Sequence, residues 1–265
     1  MASRSAVPRG LGRGFPPDRA ALVVYLMAGY PDRATSLASL HAAARAGADV
    51  IELGVPYGDP LADGPVIAEA ARVARGAGFG LAESIDLAAE FIAAGGSDAP
   101  PVALMTYLNP LMRTGLPRAS EAMRKAGIAG VIVPDMPPEA ARPWLAVALD
   151  IDTVFLVAPT SPAERLAAVG VASAGFVYCV STTGVTGERA ELPAGLGALV
   201  QQVRAHTPLP VAVGFGISEP AQAAAVARVA DGVVVGSAVV RRQADPAAVG
   251  EFVDSLAVAV RDARS

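Results

Sequence analysis

The chain has 265 residues, 53% of them hydrophobic and 17% charged, with a formal net charge of −4. No long run of one sign calls for nucleic acid or an anionic membrane surface, and Gly, Pro or a charge interrupts every apolar stretch before the roughly 20 residues that span a bilayer. The single cysteine, Cys179, excludes an internal disulfide and suits a reducing, cytoplasmic compartment.

The chain opens with "MASRSAVPRGLGRGFPPDRA", rich in Arg, Gly and Pro and without an acid before Asp18. Organelle transit peptides share the Arg and the lack of acids, but this density of Gly and Pro opposes an amphipathic helix. Residues 1–18 are therefore expected to form a mobile tail ahead of one domain over 19–265.

From there, short β-branched apolar runs recur. They are "LVVYLMAG" (22–29), "DVIELG" (49–54), "PVALMTY" (101–107), "AGVIVPD" (129–135), "DTVFLVAP" (152–159), "GFVYCVST" (175–182), "LPVAVGFG" (209–216) and "DGVVVGSA" (231–238). Cys179 falls in one of these runs and reads as a buried, inert thiol. Ala- and Leu-rich stretches of helical spacing separate the runs, with start signals at Ser161-Pro162 and Ser218-Glu219-Pro220. Continuous apolarity marks strands buried on both faces, as in a parallel sheet clothed in helices. Eight such units match an α/β fold of the (β/α)8 barrel type, whose usual size is about 250 residues. A doubly wound sheet fits less well, because "MAGYPD" stands where a G-x-G-x-x-G would follow the first strand.

In a barrel, the residues after the C-terminal ends of the strands build the active site. The connection over 56–80 is long for one strand-to-helix link, so it should carry function or an extra helix. Late in the chain come "STTGVTG" (181–187), "GFGIS" (214–218) and "GSAVV" (236–240). Glycines after strands seven and eight let backbone N–H groups and a helix N-terminus hold a phosphate, which assigns that role to Gly216, Gly236 and Ser237. Tight turns alone are the alternative.

Several chemistries lack their residues. The only lysine, Lys125, lies in a helical stretch, against a Schiff base. His41 and His206 also lie in helical stretches, so no metal cluster is expected, and no G-x-S-x-G elbow is present. Acid–base work by carboxylates remains. Glu52 interrupts a buried strand, where burial would raise its pKa toward neutrality. Asp63 follows in a knot of Pro and Gly and would stay ionised at the mouth, so that the two acids divide their duties. A Glu satisfied by backbone donors and an Asp capping the helix at "GPVIAEAA" are the structural alternatives.

"ELGVPYGDPLADGP" (52–65), with "YLMAGYPD" (25–32), "LMTYLNP" (104–110), "VIVPDMPPEA" (131–140), "STTGVTG", "GFGIS" and "GSAVV", resembles the tryptophan synthase alpha chain family, in order from about residue 22 to 240. The resemblance implies cleavage of indole-3-glycerol phosphate to indole and glyceraldehyde 3-phosphate, without metal or cofactor in this chain. It implies that Glu52 protonates indole C3 and takes the glycerol hydroxyl proton, while Asp63 hydrogen-bonds the indole N–H. Tyr25, Leu104, Tyr107, Ile132, Tyr178 and Phe215 match pocket positions. Gly187 joins the phosphate loops, and Thr186 matches a mobile loop that closes over the site. Pro56 and Asp59 match the loop facing a beta chain, which carries pyridoxal phosphate in an alpha2-beta2 assembly.

The sequence departs from the family at its N-terminus, where "RSAVPRGLGRGFPPDRA" replaces a helix that covers the barrel's base. That departure leaves room for one other reading, a stand-alone lyase releasing free indole. A separate alternative is a weakly catalytic subunit that binds and activates a beta chain, against which the intact Glu52 and Asp63 speak.

Overall fold

A computed structural model describes residues 10–59, 63–180, 195–214 and 216–264. Nine strands appear among them: β1 (Ala21–Met27), β2 (Val50–Gly54), β3 (Val102–Met105), β4 (Gly130–Ile132), β5 (Asp152–Val154), β6 (Leu156–Val157), β7 (Val177–Val180), β8 (Val211–Gly214) and β9 (Gly232–Val235). All pairings are parallel, in the order β5-β4-β3-β2-β1-β9-β8-β7-β6. The two ends of that order are halves of one apolar run parted at the buried Phe155, so the eight expected staves close into a barrel. The long connection after β2 holds two helices, Pro65–Gly76 and Leu81–Gly95, the first being the extra one.

Side chains alternate between two layers, as strand geometry requires. One layer faces the helices: Leu22, Val24, Ile51, Leu53, Val102, Leu104, Val131 and Cys179 pack with Leu40, Phe91, Trp144 and Leu256. Trp144 also donates its indole N–H to Thr153 Oγ1 at 3.0 Å, which satisfies a buried donor. The other layer fills the barrel with Val23, Val50, Ala103, Ile132, Val154, Phe176, Ala212 and Val234. Two helices begin one residue later than their serines suggest: Pro162 and Glu219 occupy the N-cap positions, and Ser161 Oγ instead accepts from the N–H of Ala158.

The expectation of a mobile tail through residue 18 fails for residues 10 onward. Gly10–Gly14 form a 3-10 turn, with Leu11 fully buried and Phe15 nearly so, and both belong to the barrel-filling cluster. The Leu11 N–H donates to Asp152 Oδ2 at 2.7 Å, and Phe15 packs on Phe176 with ring centroids 5.1 Å apart. A side chain at Gly232 would lie 2.8 Å from the Phe15 ring, and one at Gly130 would overlap Leu11. Gly and Pro forbid an α-helix here but suit one tight turn, and two apolar residues suffice to plug the base. Residues 1–9 lie outside the described part of the chain.

Aspartates tie the same end together. Asp49 accepts from the Leu22 N–H (2.8 Å) and a two-pronged Arg19, and Asp231 accepts from the Val211 N–H (3.0 Å) and from Arg204. The strands are thus anchored at their N-terminal ends, leaving the opposite face free for chemistry.

Candidate active site

Glu52 is the central residue of β2 and points inward, between layers that are otherwise apolar. It is only 1% exposed, and its Oε2 has no hydrogen-bond partner among the described residues. The backbone-satisfied alternative therefore fails for this oxygen. Removal from water, reinforced by the charge of Asp63, pushes its pKa up to about 8. A carboxyl so placed is protonated at neutral pH and able to give its proton away.

Asp63 stands just before the helix Pro65–Gly76, and Gly64, not Asp63, holds the N-cap position. The carboxylate is half-buried and accepts a hydrogen bond from the Tyr107 hydroxyl at 3.4 Å. Burial raises its pKa to about 6, with the Tyr107 hydrogen bond opposing the shift. The two acids thus hold different protonation states near pH 7, the arrangement that separates acid from base.

Tyrosines frame the pair. Tyr25 on β1 is the direct register partner of Glu52, and its hydroxyl fills the space that a side chain on Gly54 would take. Tyr178 on β7 also points inward, and a side chain on Gly214 would lie 2.8 Å from its hydroxyl. Both glycines keep the floor clear for a phenol. Tyr107 follows β3 and is buried, and its ring stacks on Tyr57 at 5.0 Å. Asn109 Nδ2 donates to the Tyr57 hydroxyl at 3.0 Å, so the outer loop is linked through Tyr57 and Tyr107 to Asp63.

Of the other pocket positions, Ile132 faces inward on β4. Leu104 does not: it packs in the helix-facing layer, and Met105, one residue on, takes the inward position. The reason is the period of two. Ala103 fills the barrel, so Met105 must share its face. Sequence alone offered no cue, because β3 is apolar on both faces. Gly54 and Gly214 also escaped the sequence reading, since a glycine that clears room for a hydroxyl looks like any other strand-end glycine.

At the other side of the mouth, Gly216 has φ +65°, a conformation that favours glycine, and Gly236 precedes the short helix Ser237–Val240 with Ser237 buried. Pro56 is buried and Asp59 exposed in the loop after β2. Phe215, Gly187 and Thr186 lie outside the described residues. Lys125 ends the helix Leu116–Lys125 and pairs with Glu121. His41 is half-buried against Phe91 in its helix, and His206 is exposed in the turn after another. Among the described residues, no three of His, Cys, Asp and Glu gather as metal ligands do. Nor is any helix among them long and apolar enough to cross a membrane.

A parallel barrel whose C-terminal mouth holds a buried carboxyl, a second acid and a ring of tyrosines defines an acid–base enzyme of the (β/α)8 class. Within that class the chain belongs to the tryptophan synthase alpha chain family, whose model matches residues 15–261. It is 46% identical to the tryptophan synthase alpha chain of Microcystis aeruginosa over 228 residues, 85% of each chain. It is also 46% identical to that of a Caulobacter species over 258 residues, 93% of each. The structure of Mycobacterium tuberculosis tryptophan synthase superposes with a TM-score of 0.89 at 40% identity, covering 96% of this chain and 99% of that one. The chain is a lyase of tryptophan biosynthesis by this membership, and the family implies a beta-chain partner.

Proposed function

We propose that this chain cleaves indole-3-glycerol phosphate by dividing the chemistry between Glu52 and Asp63. The observation that carries the reading is the fully buried Glu52, its Oε2 without a partner among the described residues and its pKa raised by burial, beside an acid of lower pKa. Breaking the bond between indole C3 and the glycerol chain needs a proton on that carbon. Glu52 supplies it, and the resulting carboxylate takes the proton of the glycerol hydroxyl as the carbonyl of glyceraldehyde 3-phosphate forms. Asp63, ionised, accepts the indole N–H hydrogen bond and balances the positive charge that develops at nitrogen when C3 is protonated.

Tyr25, Met105, Tyr107, Ile132 and Tyr178 form the wall around the indole, with Phe215 expected to join them. Gly216, Gly236 and Ser237 hold the phosphate by backbone N–H groups and the serine, and Gly187 and Thr186 are assigned to the closing loop. The position of Gly216 and Gly236 at the ends of β8 and β9 supports this placement.

Alpha chains of this family need no cofactor of their own. The pyridoxal phosphate belongs to the beta chain, which Pro56 and Asp59 meet in an alpha2-beta2 assembly in the cytoplasm. The stand-alone reading rested on the divergent N-terminus, and Leu11 and Phe15 remove much of its ground by plugging the base.

Indole release from indole-3-glycerol phosphate is the test, by the purified chain alone, with a beta chain, and as Glu52→Gln. Weak activity alone, large stimulation by the beta chain and loss in the variant are expected. Strong activity without stimulation favours a stand-alone lyase, and no indole in any mixture overturns the catalytic assignment.

A further inference from the structure

One buried polar atom at the mouth, Glu52 Oε2, has no hydrogen-bond partner among the described residues, and the phenol of Tyr25 is buried on the neighbouring strand. Glu52 is 1% exposed and Tyr25 4%. They stand on directly paired positions of β1 and β2, on the same inward face, across the spacing of roughly 5 Å between neighbouring strands. The phenol is long enough to reach past Glu52 toward the mouth, where its oxygen lies against the α-carbon of Gly54. A side chain at residue 54 would collide with that oxygen, so the chain reserves this space for a hydroxyl. A wall for an indole ring needs only the aromatic face.

We propose that the Tyr25 hydroxyl is a positioning donor for the Glu52–Asp63 pair, holding whichever carboxylate is ionised as the proton moves. The inference rests on the acid–base reading above. No proton leaves Tyr25: Glu52 gives its proton to carbon, the phenol donates a hydrogen bond to the carboxylate left behind, and Glu52 is reprotonated by the substrate hydroxyl. The titratable groups that face the phenol are Asp63, Glu52, Tyr107 and Tyr178. Burial first, then the charges of Asp63 and Glu52, keep Tyr25 protonated well above its ordinary range, so it remains a donor throughout the working pH. Tyr178 suits the role less well. It is half-buried and within reach of water, and of the two acids only Glu52 acts on it.

The experiment is Tyr25→Phe in the full chain with its beta chain, followed as kcat and KM for indole release from pH 5 to 9, with Tyr25→Leu beside it. Losing the donor disfavours ionised Glu52, so the alkaline limb of the profile should move up by about 0.5–1 unit. The Phe variant should lose kcat by about tenfold with KM within about twofold, whereas the Leu variant, lacking the ring, should also raise KM. Infrared titration of the Glu52 carboxyl, by difference from Glu52→Gln, should show the same upward shift without any turnover. An unchanged kcat and unchanged limbs in Tyr25→Phe would overturn the proposal, as would a rise in KM alone. If the native chain releases no indole, the catalytic reading fails, and the infrared titration still decides whether Tyr25 donates to Glu52.

Discussion

The charge of Asp63 raises the proton affinity of Glu52, although one acid comes from a loop and the other from the middle of β2. Their environments separate them further. Glu52 is fully buried, with its Oε2 unpartnered among the described residues, while Asp63 is half-exposed and bonded by Tyr107. The first therefore keeps its proton up to about pH 8 and the second loses it near 6. In that interval one acid and one base face the same space.

The interval sets a pH profile. kcat/KM for indole release should rise as Asp63 ionises near pH 6 and fall as Glu52 ionises near 8. Asp63→Asn removes the rising limb. It also takes a like charge away from Glu52, so the falling limb should move to lower pH. Stopped assays from pH 5 to 9 on both proteins check this, and a flat profile in the native chain would contradict the division of labour.

Glu52→Gln should cost about 10³-fold in kcat while making the protein more stable. An acid whose pKa is raised on folding binds its proton more tightly in the native state, so stability falls as pH climbs from the unfolded value, 4.5, to about 8. Gln escapes that loss. The variant's advantage should be absent below pH 4.5, grow through neutrality and level off above about 8, reaching at most roughly 5 kcal/mol. Urea unfolding at pH 4.5, 7 and 8.5 measures it. An advantage that does not depend on pH would show that Glu52 is not strained by burial.

The two acids were legible in the sequence because charge is costly in a buried strand and stands out there. The eight staves were legible through the same apolar runs. What stayed hidden depends on counts of one residue. Whether Leu104 or Met105 faces the barrel turns on the register of a strand that is apolar on both sides. Whether a serine or its successor caps a helix turns on one step of the chain. The base plug was hidden for another reason: Gly, Pro and Arg dominate residues 10–18, and only the fold reveals that Leu11 has somewhere to go.

The inward and outward faces of β3 can be separated by mutation. Leu104→Ala opens a hole between strand and helices and should lower stability by about 2–4 kcal/mol with kcat and KM nearly unchanged. Met105→Ala removes part of the barrel's inner wall near the mouth and should raise KM for indole-3-glycerol phosphate several-fold at a smaller cost in stability. Thermal unfolding and steady-state kinetics on the pair distinguish the faces. The reverse pattern would return Leu104 to the pocket.

The plug predicts the opposite signature, stability without chemistry. Leu11 is fully buried at the end of the barrel away from the acids, and its N–H is bonded by Asp152. Leu11→Ala should cost about 2–4 kcal/mol through the cavity it leaves. Asp152→Ala should cost about 1–3 kcal/mol by stranding that N–H against apolar neighbours. Because the two residues share one contact, the double variant should cost less than the two losses added together. Indole release at 25 °C should remain near the native rate in all three. A Leu11→Ala protein with native melting temperature would mean that residues 10–15 merely rest on the base. A stable protein with reduced kcat would mean that the base and the mouth communicate, which the separate anchoring of β1 by Asp49 and of β8 by Asp231 argues against.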